Sequence, residues 1–221
     1  SSGLPVLRFY RWEPATLSLG YFQRYVDRNF HAASLPCPVV RRSTGGGAIL
    51  HDRELTYSMV WPQRPVDQGV RTMTAHWFYE TVHTALQQAL ADFSVVAVFA
   101  RDLSTAANDT EFLCFQRRSP WDLLVGPSKV AGSAQRRHRN ALLQHGSVLL
   151  ESSPFAPELP GLAEVAGQVV GADDLTQAWA GYLASQQKLA LEPSPLKDGE
   201  KLLIRGALRN KYDCLEWTQR R

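Results

Sequence analysis

The chain has 221 residues, 44% of them apolar and 20% charged, with a formal net charge of +3. This composition supports a real hydrophobic core and excludes disordered, collagenous and coiled-coil classes. The longest apolar runs, such as "SVVAVFA" at 94–100, are too short to span a bilayer. The mild positive excess is not that of a dedicated nucleic-acid binder, but it favours an acidic partner.

Residues 4–12, "LPVLRFYRW", alternate apolar and polar and predict a strand that Pro14 ends. "ATLSLGYF" predicts the next strand, and "PCPVVRRSTGGG" a short strand entering a glycine turn. "AILHD" and "LTYSMVW" predict two strands joined by the polar turn "DRE", so the first third reads as mostly antiparallel sheet. Residues 74–92 predict a helix capped by Thr74, with Phe78, Val82, Leu86 and Leu90 on its inner face. "SVVAVFA" follows as a buried strand, and residues 101–120, which carry no period, as a long loop. "WDLLV", "KVAGSAQ" and "ALLQHGSVLL" predict three strands linked by tight turns. Beyond residue 151 prolines become frequent and two helices are expected, one after an Asp173–Asp174 cap to about Leu189, the other over about 198–211. The expected fold is α+β: a mixed, largely antiparallel sheet flanked by helices, in one domain over 1–221 with 151–221 as its helical C-terminal part.

Three cysteines, Cys37, Cys114 and Cys214, are too few and too scattered for a disulfide framework or a cysteine zinc site, which points to a reducing cytoplasm. The sequence opens on "SSGLPV" without methionine, as a piece of a longer protein does. Basic residues cluster at Arg41–Arg42, Arg117–Arg118 and Arg136–Arg139 and are expected to form a docking face.

Four features carry chemistry. In "RRSTGGGAILHD" (41–52), Gly45, Gly46 and Gly47 let backbone approach backbone or a ligand, and Arg42 and His51 flank them. A plain hairpin turn is the other reading, and no Gly-Lys-Ser/Thr follows to make a nucleotide phosphate loop. In "KVAGSAQ" (129–135), Lys129 stands before the small residues Ala131, Gly132, Ser133 and Ala134, along which its stem could lie to aim at a ligand carbonyl; a solvated hairpin lysine is the alternative. In "LLQHGSVLL" (142–150), His145 interrupts an apolar strand before Gly146, as a hydrogen-bonded core histidine does, and is expected to orient the site. Cys114 lies in the long loop between Phe112 and Phe115; a neighbouring cation would make it a nucleophile, and burial alone would leave it inert.

Together these stretches resemble the biotin/lipoate protein ligase superfamily, in its lipoate-protein ligase A branch. "RRSTGGGAILHD", "KVAGSAQ" and the His145–Gly146 pair match that branch in order and spacing. Within it, "VLRFYRWEPATLSLGYFQ" at 6–23, "ELTYS" at 54–58 and the run from Cys114 to Ser147 are similar to the cysteine-dependent octanoyltransferases. Gly47 stands where those transferases often carry arginine, as it does in ATP-using ligases, and "FQRRSP" after Cys114 is more basic than that group's pattern. The resemblance implies a biotin/lipoate ligase-like catalytic domain that moves an octanoyl group from acyl carrier protein to a lysine of a lipoyl domain (glycine cleavage H protein or the E2 of a 2-oxoacid dehydrogenase). Cys114 would be the nucleophile and Lys129 its partner. Arg42, Gly45–Gly47, His51, Gly132, Ser133, Ala134, His145 and Gly146 would form the substrate pocket. No cofactor, metal, membrane or nucleic acid is expected. The rival reading is a lipoate–protein ligase that makes an acyl adenylate with ATP and Mg; a non-catalytic carrier-domain or nucleic-acid binder is the third.

Overall fold

A computed structural model describes residues 4–63, 74–103, 111–138 and 140–221. The larger of two sheets has six strands: β1 (Val6–Tyr10), β5 (Glu54–Pro62), β9 (Ala141–Leu149), β8 (Ser128–His138), β7 (Leu123–Val125) and β6 (Val98–Phe99), neighbours in that order and antiparallel throughout. The smaller sheet orders β3 (Val39–Arg41), β2 (Thr16–Leu19) and β4 (Ile49–His51). Helices α1 (Ala75–Asp92) and α3 (Ala172–Gln187) pack together against the large sheet, and α2 (Leu162–Ala166) joins their core. Helix α4 (Asp198–Ala207), a π-helical turn (Leu208–Tyr212) and α5 (Leu215–Thr218) end the chain. No helix among the described residues is long and apolar enough to cross a membrane.

The period of four in α1 has the expected result: Phe78, Val82, Leu86 and Leu90 are all buried, with Ala85 and Ala89 between them. Thr74 caps the helix, its hydroxyl accepting from the Trp77 N–H (3.1 Å). Trp179 of α3 fills the space over β5, its ring 4.7 Å from Tyr57 and its Nε1–H donating to the Val82 carbonyl (3.0 Å). A second core, between the sheets, joins Leu17, Leu19 and Ile49 of the small sheet to Leu113, Phe115 and Leu149.

Several expectations are corrected. Strands β2 and β3 pair parallel, because a connection carrying two 3-10 turns (Tyr25–Phe30 and Ala32–Ser34) returns the chain to the same end of the sheet. The "AILHD" and "LTYSMVW" strands form no hairpin: β4 pairs with β2, whereas β5 crosses into the large sheet between β1 and β9. Strand β6 is only two residues long, and Val96 ahead of it is 79% exposed. The cap of α3 is Gly171, with Asp173 and Asp174 in the first turn, where acids favour the helix N-terminus. Part of the expected 101–120 loop, residues 104–110, lies outside the described residues.

Candidate active site

The sheets meet at the glycine turn between β3 and β4. Arg42 builds the turn from within: its guanidinium donates to the carbonyls of Ser18 (2.7 Å), Gly45 (2.9 Å) and Gly47 (2.6 Å). Burial pushes its pKa down to about 10, opposed by the neighbouring Cys114 sulfur. Gly46 adopts φ +93°, a conformation that favours glycine. At Gly47 a Cβ would lie 2.9 Å from the Cys114 nitrogen and 3.0 Å from its Cα. The absent side chain therefore makes room for the cysteine segment, which docks there by two backbone bonds, Ala48 N–H to Phe112 O (2.9 Å) and Cys114 N–H to Ala48 O (2.7 Å). Gly47 thus has an explanation in the docking of the cysteine loop.

Cys114 opens a short 3-10 turn, Cys114–Gln116, and is half-buried. Lys129 approaches it from β8. Its Nζ is 3.9 Å from Cys114 Sγ and donates to the carbonyls of Cys114 (3.1 Å) and Arg117 (3.3 Å). The lysine is only 7% exposed, and the charge is balanced by Asp122, 2.8 Å away and 2% exposed. Burial pushes the Asp122 carboxyl up, while Lys129 and the Ser119 N–H (2.6 Å) hold its charged form.

The strand arrangement explains the lysine's aim. Leu123 pairs with Ala131 but Leu124 with Lys129, so β8 carries one extra residue here. Such a bulge redirects side chains. It brings Lys129 and Gly132, three positions apart, onto one side: a Cβ on Gly132 would lie 2.6 Å from Lys129 Cε and 2.9 Å from Nζ. The small residues after Lys129 do make room for its side chain, as expected, but an acid covers the ammonium that the sequence left bare.

The remaining candidates divide. His145 stands across from Ala134 in the β8–β9 pair and bonds through Nε2 to the Thr44 hydroxyl (2.7 Å), tying β9 to the glycine turn. Its pKa is pushed down to about 4, first by burial and then by Arg42 and His51. Gly146 faces Ser133, and a Cβ on it would lie 2.2 Å from the Gly132 carbonyl oxygen. Ser133 turns from the thiol into a buried chain of hydrogen bonds: His83 Nε2 (2.5 Å) on one side, Tyr57 OH (2.6 Å) on the other. His51 lies in a separate cluster, stacked on Trp12 at 4.4 Å and hydrogen-bonded to the buried Glu54. Among the described residues no hydrogen bond or ion pair joins His51 to Cys114 or Lys129.

Proton bookkeeping gives the buried chain a direction. The Trp121 carbonyl can only accept, so His83 Nδ1 carries the proton at that 2.5 Å contact. Burial pushes the His83 pKa down to about 4, with Lys129 adding to the fall, so Nε2 is an acceptor and the Ser133 hydroxyl donates to it. Tyr57 then donates to Ser133, Gln144 to Tyr57 (2.8 Å) and Gln135 to Gln144 (2.7 Å). Each member's partner fixes its orientation, which holds β8 and α1 in place behind Lys129.

A cavity of about 640 Å³ is lined by Phe22, Phe30, Gly46, Phe112, Gln116 and Arg117 together with Gln23, His31 and the acids Asp27 and Glu111. Its walls are loop residues. The apolar faces of the large sheet's strands are closed by α1 and α3. One of the three expected surface clusters is different: Arg41 is 2% exposed and donates to the carbonyls of Gly20, Gln23 and Thr218, and Arg42 is buried in the turn; Arg117 and Arg118 are partly exposed, each with one bond to a backbone carbonyl. Among the described residues no group of three or more His, Cys, Asp or Glu side chains could hold a metal ion.

Residues 1–168 match the family model described as the lipoyl protein ligase A/B catalytic domain. The chain belongs to this family. An octanoyltransferase LipM from Kyrpidia tusciae is 34% identical over 245 residues, covering 98% of this chain and 88% of the relative. Another from Brevibacillus brevis is 31% identical over 248 residues, with the same coverage of 98% and 88%. A putative lipoate protein ligase from T. acidophilum superposes with a TM-score of 0.79 at 20% identity, covering 98% of this chain and 86% of that one. A lipoate-protein ligase A bound with ATP gives 0.74 at 21%, covering 97% and 85%. Both likenesses show the fold. Within this lipoyl ligase fold, sequence reading had missed Asp122, His83, Tyr57 and Gln144. Asp122 was the most legible of them, since a lone acid next to Trp121 at the head of an apolar strand signals a buried charge in want of a partner.

Proposed function

We propose that this lipoyl ligase family member is an octanoyltransferase of lipoate biosynthesis, taking its acyl group from acyl carrier protein and placing it on a lysine of a lipoyl domain through a thioester on Cys114. The observation that carries the reading is the buried Lys129 Nζ 3.9 Å from Cys114 Sγ. The family relatives named octanoyltransferase LipM support the reaction class.

In the first step Cys114 Sγ attacks the donor's thioester carbonyl. A new C–S bond forms, the donor's C–S bond breaks, and the thiol proton of Cys114 leaves with the donor thiol. One thioester replaces another of similar energy, so no nucleotide is required. In the second step the acceptor amine attacks the acyl-enzyme, a C–N bond forms, the C–Sγ bond breaks, and the amine's proton returns to the sulfur. Formation of an amide drives this step.

Lys129 serves both tetrahedral species. Its three N–H bonds are taken at rest by Asp122 and the carbonyls of Cys114 and Arg117. The Arg117 contact, at 3.3 Å, is the longest of the three to oxygen and the one an acyl oxygen would replace. A donor aimed at a developing oxyanion contributes about 3 kcal/mol. Gly46 leaves the approach to Sγ open: a Cβ there would stand 3.9 Å from the sulfur. The reaction so written uses no cofactor.

The test is acyl transfer to a lipoyl domain, measured with and without ATP, in wild type and Cys114→Ser. Transfer from octanoyl-acyl carrier protein without ATP, abolished by Cys114→Ser, supports the scheme. Full activity of Cys114→Ser, or an absolute need for ATP, replaces it with the adenylate route.

A further inference from the structure

The last residues of the chain form a cationic patch that no part of the foregoing scheme uses. Helix α5 is held down by buried Arg41: Trp217 Nε1–H donates to the Arg41 carbonyl (2.8 Å), and Arg41 Nε–H donates to the Thr218 carbonyl (2.9 Å). The Tyr25 N–H takes the main-chain oxygen of Arg221 (2.7 Å). So anchored, the segment lays its cations on a platform of rings. Arg220 lies 4.4 Å over Tyr21 and 4.9 Å over Trp217; Arg221 lies 5.5 Å over Phe22 and 5.8 Å over Tyr21; Lys211 lies 4.0 Å over Trp217.

These charges are gathered around one phenol. Arg136, tied to the Ser43 carbonyl at 2.5 Å, acts on the same Tyr21 phenol as Arg220 and Arg221. Among the described residues no ion pair engages Lys211, Arg136, Arg220 or Arg221. Arg220 also hydrogen-bonds the Tyr21 phenol; a guanidinium carries five N–H donors, so others remain for a phosphate.

The patch adjoins the active site. Phe22, under Arg221, is a wall of the cavity that Gly46 also lines, and a Cβ on Gly45 would touch the Phe22 ring at 3.6 Å. Gly46, on which a Cβ would stand 3.9 Å from Cys114 Sγ, is the wall that neighbours the thiol, and Arg221 stands over the Phe22 wall. Its other walls mix rings with amides, an imidazole and charges of both signs: Phe30, Phe112, Gln23, Gln116, His31, Asp27, Glu111 and Arg117. That lining suits an amide-bearing arm better than an alkyl tail.

We propose that Arg220 and Arg221, on their aromatic platform, bind the phosphate of a phosphorylated, amide-containing arm that carries the acyl thioester, the arm lying in the cavity between them and Cys114. The inference rests on the acyl-transfer reading and names the part of the donor that is recognised. A nucleotide is the other source of a phosphate ester, and the experiment separates the two.

S-octanoyl-4′-phosphopantetheine and S-octanoylpantetheine differ only by the phosphate. The ratio of their kcat/KM values for acylating Cys114 measures its recognition and does not depend on how much enzyme is folded. The expected ratio is about tenfold or more in wild type, the low end for charge-assisted hydrogen bonds. It falls toward one in Arg220→Ala/Arg221→Ala and is partly restored in Arg220→Lys/Arg221→Lys. Calorimetry with unacylated phosphopantetheine and pantetheine should show the same preference. A wild-type ratio near one, or a preference that the alanine pair retains, overturns the proposal. So does ATP that displaces phosphopantetheine and binds more tightly, since the patch would then be a nucleotide site. If neither thioester acylates Cys114 the transfer reading fails, and the calorimetric comparison still decides whether the patch binds the phosphorylated arm.

Discussion

The substitution Gly132→Ala isolates the placement of Lys129 from its presence. An alanine Cβ would sit 2.6 Å from Lys129 Cε and 2.9 Å from Nζ, against the 3.4 Å at which ordinary contact begins. Relief requires Cε to move by about 0.8 Å (3.4 − 2.6) and Nζ by about 0.5 Å (3.4 − 2.9). The atoms that must give are side-chain ends, Lys129 Cε and Nζ and Asp122 Oδ1 (3.0 Å), and not backbone, so the fold can adjust without a shift of the strands. Replacing glycine also restricts the unfolded chain, a gain of about 0.4–1 kcal/mol, and Tm is expected to stay within a few degrees of wild type. Catalysis is different, because a misplacement of about 1 Å costs on the order of 10²-fold. We expect single-turnover acylation of Cys114 by an octanoyl thioester, followed by quenching and intact mass, to slow by roughly 10–10²-fold. A folded Gly132→Ala protein acylated within about twofold of the wild-type rate would refute the argument that lysine placement matters.

Other outcomes follow from the same geometry. Asp122→Asn leaves the Lys129 ammonium buried without its counter-charge, which should cost about 3 kcal/mol and roughly 6–12 °C in Tm by calorimetry, with kcat falling more than KM changes. Gly47→Ala sets a Cβ 2.9 Å from the Cys114 nitrogen and 3.0 Å from the Phe112 oxygen, backbone atoms that cannot swing aside; the expected loss in transfer is about tenfold or more, with altered alkylation of Cys114 by iodoacetamide as the second readout. His83 and His145 have pKa values near 4 in the fold, down from 6.5. The unfolded chain therefore binds protons that the fold refuses, and stability falls as pH drops from about 6.5 to about 4, levelling below that. For the fully buried His83 the loss is roughly 3 kcal/mol, so urea melts of His83→Gln should show a shallower acid limb, and an unchanged limb would contradict the assignment.

Legibility followed the range of the interaction. Local signals were faithful: the Thr74 cap and the α1 face depend on residues three or four positions apart along one helix. The Cys114–Lys129 approach was anticipated from a family resemblance, and its geometric cause is the docking of a loop on Ala48 together with an extra residue in β8. What escaped was non-local. The buried chain from Gln135 to His83 joins three strands and a helix, and none of its members breaks the local period strongly enough to be singled out. The parallel β2–β3 pair was hidden because pattern along a strand says nothing of its partner's direction. Arg41 and Arg42 read as surface charge since a sequence shows no backbone carbonyls, and carbonyls are what bury them.

The most direct measurement is the intact mass of the protein after incubation with octanoyl-acyl carrier protein and no ATP, followed by peptide mapping. The account predicts a gain of one octanoyl group on the peptide containing Cys114, labile to hydroxylamine and discharged by a lipoyl domain. An enzyme that octanoylates the lipoyl domain while Cys114 stays unmodified and replaceable by serine would contradict it.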